Sequence, residues 1–246
     1  MITKPVFNIY DPQFASDLPP AIDMMLRRSK QKHITVNDID IFYNDEQDGG
    51  GSGWAPDVVL LIQQLYPDKK FCNVLEWCSG PGFIGFSLLA NSLCSNLYLN
   101  DIYQLALNYC TKTKQNLNEK YKESIIETIS LDSLKDLPEI YQFDLIVGNP
   151  PHFNTDTNRF SKYYDPRIFV DKHWNIHKNF FRHIKKHLTK DGKIILLESF
   201  WGSAPDTFAQ MIDDSDLQIT KYIDYKYNEY NEQPLYPLYY LEISHK

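Results

Sequence analysis

Long apolar runs are missing from this 246-residue chain. With them goes any segment approaching the roughly 20 residues that a membrane-spanning helix requires. Cysteine is scarce: Cys72, Cys78, Cys94 and Cys110 form no C-x-x-C pair and no metal-ligand spacing. Reduced, mostly buried thiols and no metal centre are therefore expected. The opening residues, Met1-Ile-Thr-Lys-Pro-Val-Phe, lack the basic-then-apolar pattern of an export leader, so a cytoplasmic protein is expected. Positive charge is in deficit. A net charge of −7 argues against a broad electrostatic footprint for nucleic acid. The densest basic stretches, Arg27-Arg28-Ser29-Lys30 and Lys185-Lys186, read as solvated helix faces. Internal repeats and low-complexity segments are also missing.

What remains is the composition of a soluble globular protein, 43% apolar and 23% charged, long enough for one sizeable core and a terminal extension. Residues 1–50 read as a cap. Pro19-Pro20 opens a helix to about Lys30, and Asn37-Asp38 turns a short hairpin between Ile34–Val36 and Ile39–Tyr43. The run Asp48-Gly-Gly-Gly-Ser-Gly53 reads as a hinge or a ligand-hugging loop, followed by a helix from about Ala55 to Leu65. From Asn73 the chain alternates. Strands are expected at Asn73–Trp77, Asn96–Asn100, Ile125–Ser130, Phe143–Gly148 and Lys193–Ser199. Helices fall between them, the last from about Lys172 to Leu188 with its stop at Asp191-Gly192. Single helices between strands imply parallel crossovers. After a helix near Ala204–Ile212, Leu217–Tyr227 and Leu235–Ser244 form two strands without a helix between them. The expected fold is thus α/β, a doubly wound Rossmann-like sheet of seven strands, mostly parallel, with a C-terminal antiparallel hairpin. Residues 51–246 would form this domain behind the small N-terminal extension.

Two motifs sit at strand ends. Gly80-Pro81-Gly82-Phe83-Ile84-Gly85 satisfies G-x-G-x-x-G, and Asp101 follows Gly82 by 19 residues at the next strand end. Alone, that pattern also fits a nicotinamide dinucleotide site and hydride chemistry. However, Glu76-Trp77-Cys78-Ser79 intervene between the strand and the first glycine, where a dinucleotide loop usually turns at once. The second motif is Asn149-Pro150-Pro151-His152, directly after the apolar Asp144–Gly148. Two prolines remove two backbone donors and restrict φ, so neither strand nor ordinary helix can continue. A stiff loop remains, presenting an amide side chain and bare carbonyls where open α/β sheets bind ligands.

With an acid, a glycine loop, a second acid on the next strand and Asn-Pro-Pro after the fourth, the chain resembles class I S-adenosylmethionine-dependent methyltransferases. Within them it resembles the amino-methyltransferase group carrying (D/N)PP(Y/F/W). That group methylates adenine N6, guanine N2 in RNA, or the side-chain amide of protein glutamine. The likeness runs in motif order from about Gly51 to Ser199. It implies S-adenosylmethionine as cofactor, with Glu76 attracting the methionyl ammonium, Gly80 and Gly82 allowing close backbone approach, and Asp101 accepting both ribose hydroxyls. Asp132 stands where the family contacts the adenine amino group, and reads equally well as a helix N-cap. Asn149 and Pro150 would orient a planar –NH2 group and stabilise the charge that develops on nitrogen, with Pro151 stiffening the corner. His152 departs from the pattern, standing where an aromatic ring stacks on the target. Imidazole stacks over less area and accepts a proton near neutral pH. Phe153 would supply the missing aromatic face.

The connection Asn154–Val170 is long for its place and reads as a substrate cover, with Arg159 or Arg167 meeting a carboxylate or phosphate. His173 and His177, and His183 and His187, are each four apart but lack a third ligand, so ordinary surface or partly buried histidines are expected rather than zinc. Tyr222, Tyr225, Tyr227, Tyr236, Tyr239 and Tyr240 read as cross-strand packing in the terminal hairpin. The expected partner is an acceptor with a planar –NH2 group, in a protein, a small molecule or RNA. Protein glutamine or another amide or amine is favoured by the acidity of the chain, with adenine N6 or guanine N2 of RNA as the alternative. A nicotinamide dehydrogenase and a non-catalytic cofactor-binding module are the readings from other classes.

Overall fold

Central strands too apolar to face water on either side set the frame. In this computed structural model, residues 31–48, 50–155, 166–224 and 238–246 are described. Outside them lie the expected helix up to Lys30 with its arginines, residues 156–165 including Arg159, and Tyr225, Tyr227 and Tyr236. In chain order the elements are β1 (Lys32–Val36), β2 (Ile39–Tyr43), α1 (Gly51–Leu65), β3 (Phe71–Trp77), α2 (Phe83–Ala90), β4 (Cys94–Asn100) and α3 (Gln104–Gln115). They continue with β5 (Ile126–Ile129), β6 (Phe143–Gly148), α4 (Asn175–Ile184), β7 (Leu188–Ser199), α5 (Pro205–Asp213), β8 (Leu217–Asp224) and β9 (Leu238–His245).

The main sheet has the order β5-β4-β3-β6-β7-β9-β8, parallel from β5 to β7 and antiparallel at β7–β9 and β9–β8. This is the doubly wound sheet expected from the alternation, with the terminal pair closing one edge. Side chains alternate across it. Val74, Leu97, Leu145 and Val147 pack on one face against α1, α2, α3 and the β1–β2 hairpin. Leu75, Ile146, Ile194 and Leu196 pack on the other against α4 and α5. Both faces are covered, which is why these strands read as nearly continuous apolar runs. Strand order reverses between β3 and β6, whose last residues, Trp77 and Gly148, are register partners. The loops leaving these two strands therefore emerge side by side at their carboxyl ends.

Three local expectations are corrected. Gly51, Ser52 and Gly53 are the start of α1, not a hinge: Asp48 Oδ1 and Oδ2 accept from Ser52 N at 2.9 Å and Ser52 Oγ at 2.6 Å, which caps the helix four residues earlier than expected. The Asp191-Gly192 stop lies inside β7, where the register to β6 slips between Phe143 and Leu145. Helix α4 ends at Ile184, and its exit is a 3₁₀ turn, Lys185–His187, because Leu188 is already paired with Phe143. Finally, β3 runs to Trp77, as the expected strand does, so Cys78 and Ser79 alone, not four residues, separate it from Gly80.

The β1–β2 hairpin docks on α3 through the Phe42 amide, which donates to Thr113 Oγ1 at 3.0 Å, with Thr113 fully buried. Thr113→Val preserves shape and strands that donor. A loss of about 1–3 kcal/mol in denaturant unfolding is expected, together with faster hydrogen exchange at Phe42. Unchanged exchange there would show that the bond does not hold the hairpin.

Candidate active site

The glycine loop and the Asn-Pro-Pro corner share one cavity of about 370 Å³. It lies at the reversal point of the sheet, where ligands bind in this architecture. Its wall takes in nearly every residue singled out from the sequence: Glu76, Gly80, Asp101, Asp132, Asn149, Pro150, Pro151, His152, Phe153 and Arg167. Gly82 stands behind the loop. It caps α2 in a left-handed conformation (φ 85°), and a Cβ there would come within 2.8 Å of Phe86, so only glycine suits the turn.

The two acids hold the loop together. Glu76, 3% exposed, accepts from Ile84 N at 3.1 Å and Gly85 N at 2.7 Å, closing the first turn of α2 with its two carboxyl oxygens. Asp101 accepts from Gly80 N and from Tyr103 N, both at 2.8 Å, and so ties the glycine loop to the start of α3. Burial pushes the Glu76 carboxyl up to about 8, against the pull of the Gly85 and Ile84 amides, with Asp101 adding to the rise. Burial raises Asp101 as well, opposed by the Tyr103 and Gly80 amides and, more weakly, by Arg167. The Arg167 guanidinium lies 4.8 Å over the Tyr103 ring, on the Asp101 side of the cavity. Asp132 is exposed at the rim. It is not a helix cap, since Ser133 Oγ takes the Lys135 amide at 3.2 Å and caps the following turn.

On the other wall, Asn149 Oδ1 is buried without a hydrogen-bond partner. An orphaned acceptor of this kind is rare in a folded protein and marks a place where a donor is to be supplied. The corner carrying it is wedged in place. A Cβ at Gly202 would stand 1.7 Å from the His152 carbonyl oxygen, so the turn after β7 presses directly on the corner. Phe153 is pinned next to it, its N–H donating to Phe169 O at 2.9 Å and its carbonyl accepting from Asp171 N at 2.7 Å.

Two features were not read from the sequence. Gln47, 5% exposed, lines the cavity with both amide atoms buried and unpartnered. His177, expected as an ordinary surface or partly buried histidine, is fully buried between two carboxylates: its Nδ1 lies 2.6 Å from Asp171 Oδ2 and its Nε2 lies 2.9 Å from Glu198 Oε1. Burial alone would lower it, but Glu198 and Asp171 outweigh that and hold the imidazole protonated to about 9. The signal was present in spacing, since His177 falls in step with Phe180, Phe181 and Ile184 on the buried face of α4. Among the described residues no cluster of three or more His, Cys, Asp or Glu is set to hold a metal ion, and no helix is long and apolar enough to cross a membrane.

These residues fit S-adenosylmethionine. Among the described residues the cavity is lined by no cluster of cations for phosphates, and its acids are raised by burial, which favours a ligand bringing positive charge. Gly80 and Asp101 border one lobe, and the unpartnered amides of Gln47 and Asn149 supply polar groups in need of partners.

As pH rises, the His177 array loses strength. Imidazole titrates near 6.5 when free and near 9 here, so its stabilisation is complete below about 6.5 and fades toward 9. Glu76, raised to about 8 from 4.5, acts in the same direction at lower pH, because the folded form keeps its proton longer. Thermal midpoints should therefore fall from neutral pH to about 9.5, and His177→Gln should flatten the decline above pH 8. A midpoint equally steep in the variant would contradict the protonated array.

Comparison with known proteins agrees with the geometry. The family model described as methyltransferase small domain matches residues 32–217. A release factor glutamine methyltransferase from Leptospira interrogans is 40% identical over 102 residues, 39% of this chain and 35% of that protein. One from Clostridium botulinum is 26% identical over 105 residues, 41% and 36% of the two chains. The chain thus spans about a third of the length of these curated relatives. Among solved structures, a putative RNA methyltransferase from Pyrococcus horikoshii superposes with a TM-score of 0.54 at 12% identity, covering 91% of this chain and 95% of that one. The glycopeptide N-methyltransferase MtfA, complexed with S-adenosylmethionine, gives 0.55 at 10% identity over 80% and 94%. At such identities the two structures speak for the fold. The chain belongs to the methyltransferase small domain family, and S-adenosylmethionine is its methyl donor.

Proposed function

We propose that this methyltransferase transfers its methyl group to an amide or amino nitrogen, and that the acceptor class is protein glutamine or a comparable amide or amine. It would thus belong with the Asn-Pro-Pro amino-methyltransferases. The buried, unpartnered Asn149 Oδ1 beside the glycine loop carries this reading. A –NH2 group is the ligand that such an oxygen and the Pro150 carbonyl are suited to receive. Amide and exocyclic nitrogens are poor nucleophiles because the lone pair is delocalised. Acceptors around the hydrogens favour a geometry in which that pair localises and stabilise the charge that grows as it is used. The bound cofactor supplies an electrophilic methyl on sulfonium. The chain supplies alignment, with Pro150 and Pro151 keeping the corner from yielding.

In this reading Asp101 accepts the ribose hydroxyls through the lone pairs left over from its two amide bonds. Glu76 attracts the methionyl ammonium through its negative charge, Asp132 takes the adenine amino group at the rim, and Gln47 adds a contact on the glycine-loop side. His152 and Phe153 face the acceptor, and Arg167 receives an anionic group. The protein-amide preference draws on the two glutamine methyltransferase relatives, whose matched third includes sequence common to this chain, and on the net charge of −7. Residues 1–50 are assigned to a cap on the catalytic domain, and the cytoplasm is the compartment.

Calorimetry with S-adenosylhomocysteine and with NAD tests the cofactor, with binding expected for the first alone. Asn149→Ala should leave that binding within about threefold while methyl transfer falls by about a hundredfold or more. An unchanged rate would remove Asn149 from the site. Tritium-labelled S-adenosylmethionine incubated with a cell extract should label protein, and label confined to RNA would replace the amide with a nucleobase.

A further inference from the structure

Behind His152 the cavity wall continues inward as a row of ionisable groups that the alignment of nitrogen and methyl does not require. His152 Nδ1 and Glu198 Oε2 lie 3.5 Å apart, and both atoms are buried with no hydrogen-bond partner. The other Glu198 oxygen meets His177 Nε2, and the far nitrogen of His177 meets Asp171. Asp171 is in turn satisfied by the amides of Ile176 at 2.8 Å and His177 at 3.0 Å. The His177 ring cannot swing away. It stacks on Phe208 at 4.5 Å, with Trp77 and Trp174 both edge-on at 5.4 Å.

Charge counting then points outward. Two carboxylates and one imidazolium leave a net charge of −1 in the protein interior, concentrated on the one oxygen without a donor. Burial would raise Glu198, yet the charge of His177, followed by the closeness of His152 and the bond from His177, holds it below the usual carboxylate range, so it stays anionic. The group facing that oxygen is His152, whose ring is 20% exposed and lines the cavity. Moving the pair together by less than about 1 Å makes a charge-assisted hydrogen bond. A neutral His152 that gives its Nδ1 proton to Glu198 keeps the Nε2 lone pair for the cavity.

We propose that His152 is the proton acceptor of the methyl-transfer reaction, with Glu198 the positioning residue behind it and His177 and Asp171 fixing Glu198. This rests on the pocket reading given under Proposed function. The acceptor nitrogen uses its lone pair to form the N–C bond while the C–S bond breaks and its electron pair stays on sulfur. One N–H proton passes to His152 Nε2. The products are a neutral N-methyl group and an imidazolium facing Glu198, which later returns its proton to water. That imidazolium brings the buried array to neutrality. Among the described residues the other charged or titratable groups nearby are Cys78, after β3, Tyr239, the register partner of Glu198 on β9, and Arg167, across the cavity. Burial and the charge of Glu198 raise the Tyr239 hydroxyl, so it stays neutral. Burial, together with the neighbouring acids, pushes the Cys78 thiol well above its usual range, so it stays neutral. Arg167 is engaged over Tyr103. The backbone of His152 is held by Gly202, three residues beyond the end of the strand that carries Glu198, so one turn sets both the base and its partner.

The test uses the full chain, tritium-labelled S-adenosylmethionine and an extract of cells lacking the protein, with initial rates measured from pH 5.5 to 9. His152→Phe restores the ring found in the family pattern. It should keep S-adenosylhomocysteine binding, lower the rate about 10²–10⁴-fold and abolish the acidic limb of the pH profile. Glu198→Gln should also lower the rate while S-adenosylhomocysteine binding is kept. A second measurement needs no acceptor. In nitrogen-15 NMR with S-adenosylhomocysteine bound, neutral His152 should carry its proton on Nδ1, and that preference should be lost in Glu198→Gln. Wild-type rate and profile in His152→Phe, or an unchanged His152 tautomer in Glu198→Gln, overturns the proposal while leaving methyl transfer intact. Absence of any labelled product with the wild-type chain overturns both this proposal and the function it rests on.

Discussion

The site exists because β3 and β6 lie side by side, parallel, and end together at Trp77 and Gly148. One strand delivers the glycine loop and the other the proline corner, so the spacing between the two is set by backbone pairing rather than by flexible side chains. Such pairing is stable only when both faces of the strands are covered. The two apolar clusters around β6 accomplish this, and the strand needs no polar face at all. Precision at the site is thus inherited from burial elsewhere.

Electrostatics follows from the same burial. Glu76 and Asp101 are drawn into the base of the cavity to hold backbone amides, and both are thereby raised in pKa. An ordinary core would gain by replacing them. Here the raised acids create a site that is short of positive charge, and a cationic donor relieves the shortage when it binds. By linkage, a ligand that prefers the ionised carboxylates lowers their pKa, and deprotonation tightens the ligand. The structural duty of these acids, closing α2 and α3, leaves further lone pairs on the same oxygens for a ligand. One role therefore does not exclude the other.

How much of this could be read along the chain depended on range. The glycine loop, the strand-end acids and Asn149-Pro150-Pro151 are local motifs, and the structure gathers them, Gly82 apart, around one cavity. The alternation of apolar strands and helices was enough for the sheet. What escaped depends on partners distant in sequence. His177 reads as one half of an i, i+4 histidine pair, and only the fold brings Glu198, 21 residues on, against its ring. Asp191-Gly192 has the composition of a helix stop, yet the pairing of Leu188 with Phe143 absorbs it as a bulge in β7. The glycines after Asp48 read as flexible by propensity, and the two hydrogen bonds that Ser52 donates to that aspartate make Gly51 a helix start. Local propensity lost in each case to a contact that composition does not encode.

The departure at His152 then acquires a physical sense that the motif alone could not supply. An aromatic ring at that position needs only an apolar neighbour, and a carboxylate buried behind it would be a liability, stranded without a donor. Glu198 is such a carboxylate, with one oxygen committed to His177 and the other unpartnered. Keeping it anionic in the core requires the imidazolium on one side and gains from a second donor on the other. A phenyl or phenol ring at 152 cannot provide what an imidazole provides here: a donor toward Glu198 at one nitrogen and a lone pair toward the cavity at the next. The histidine and the buried array are therefore one feature, and neither is accounted for without the other.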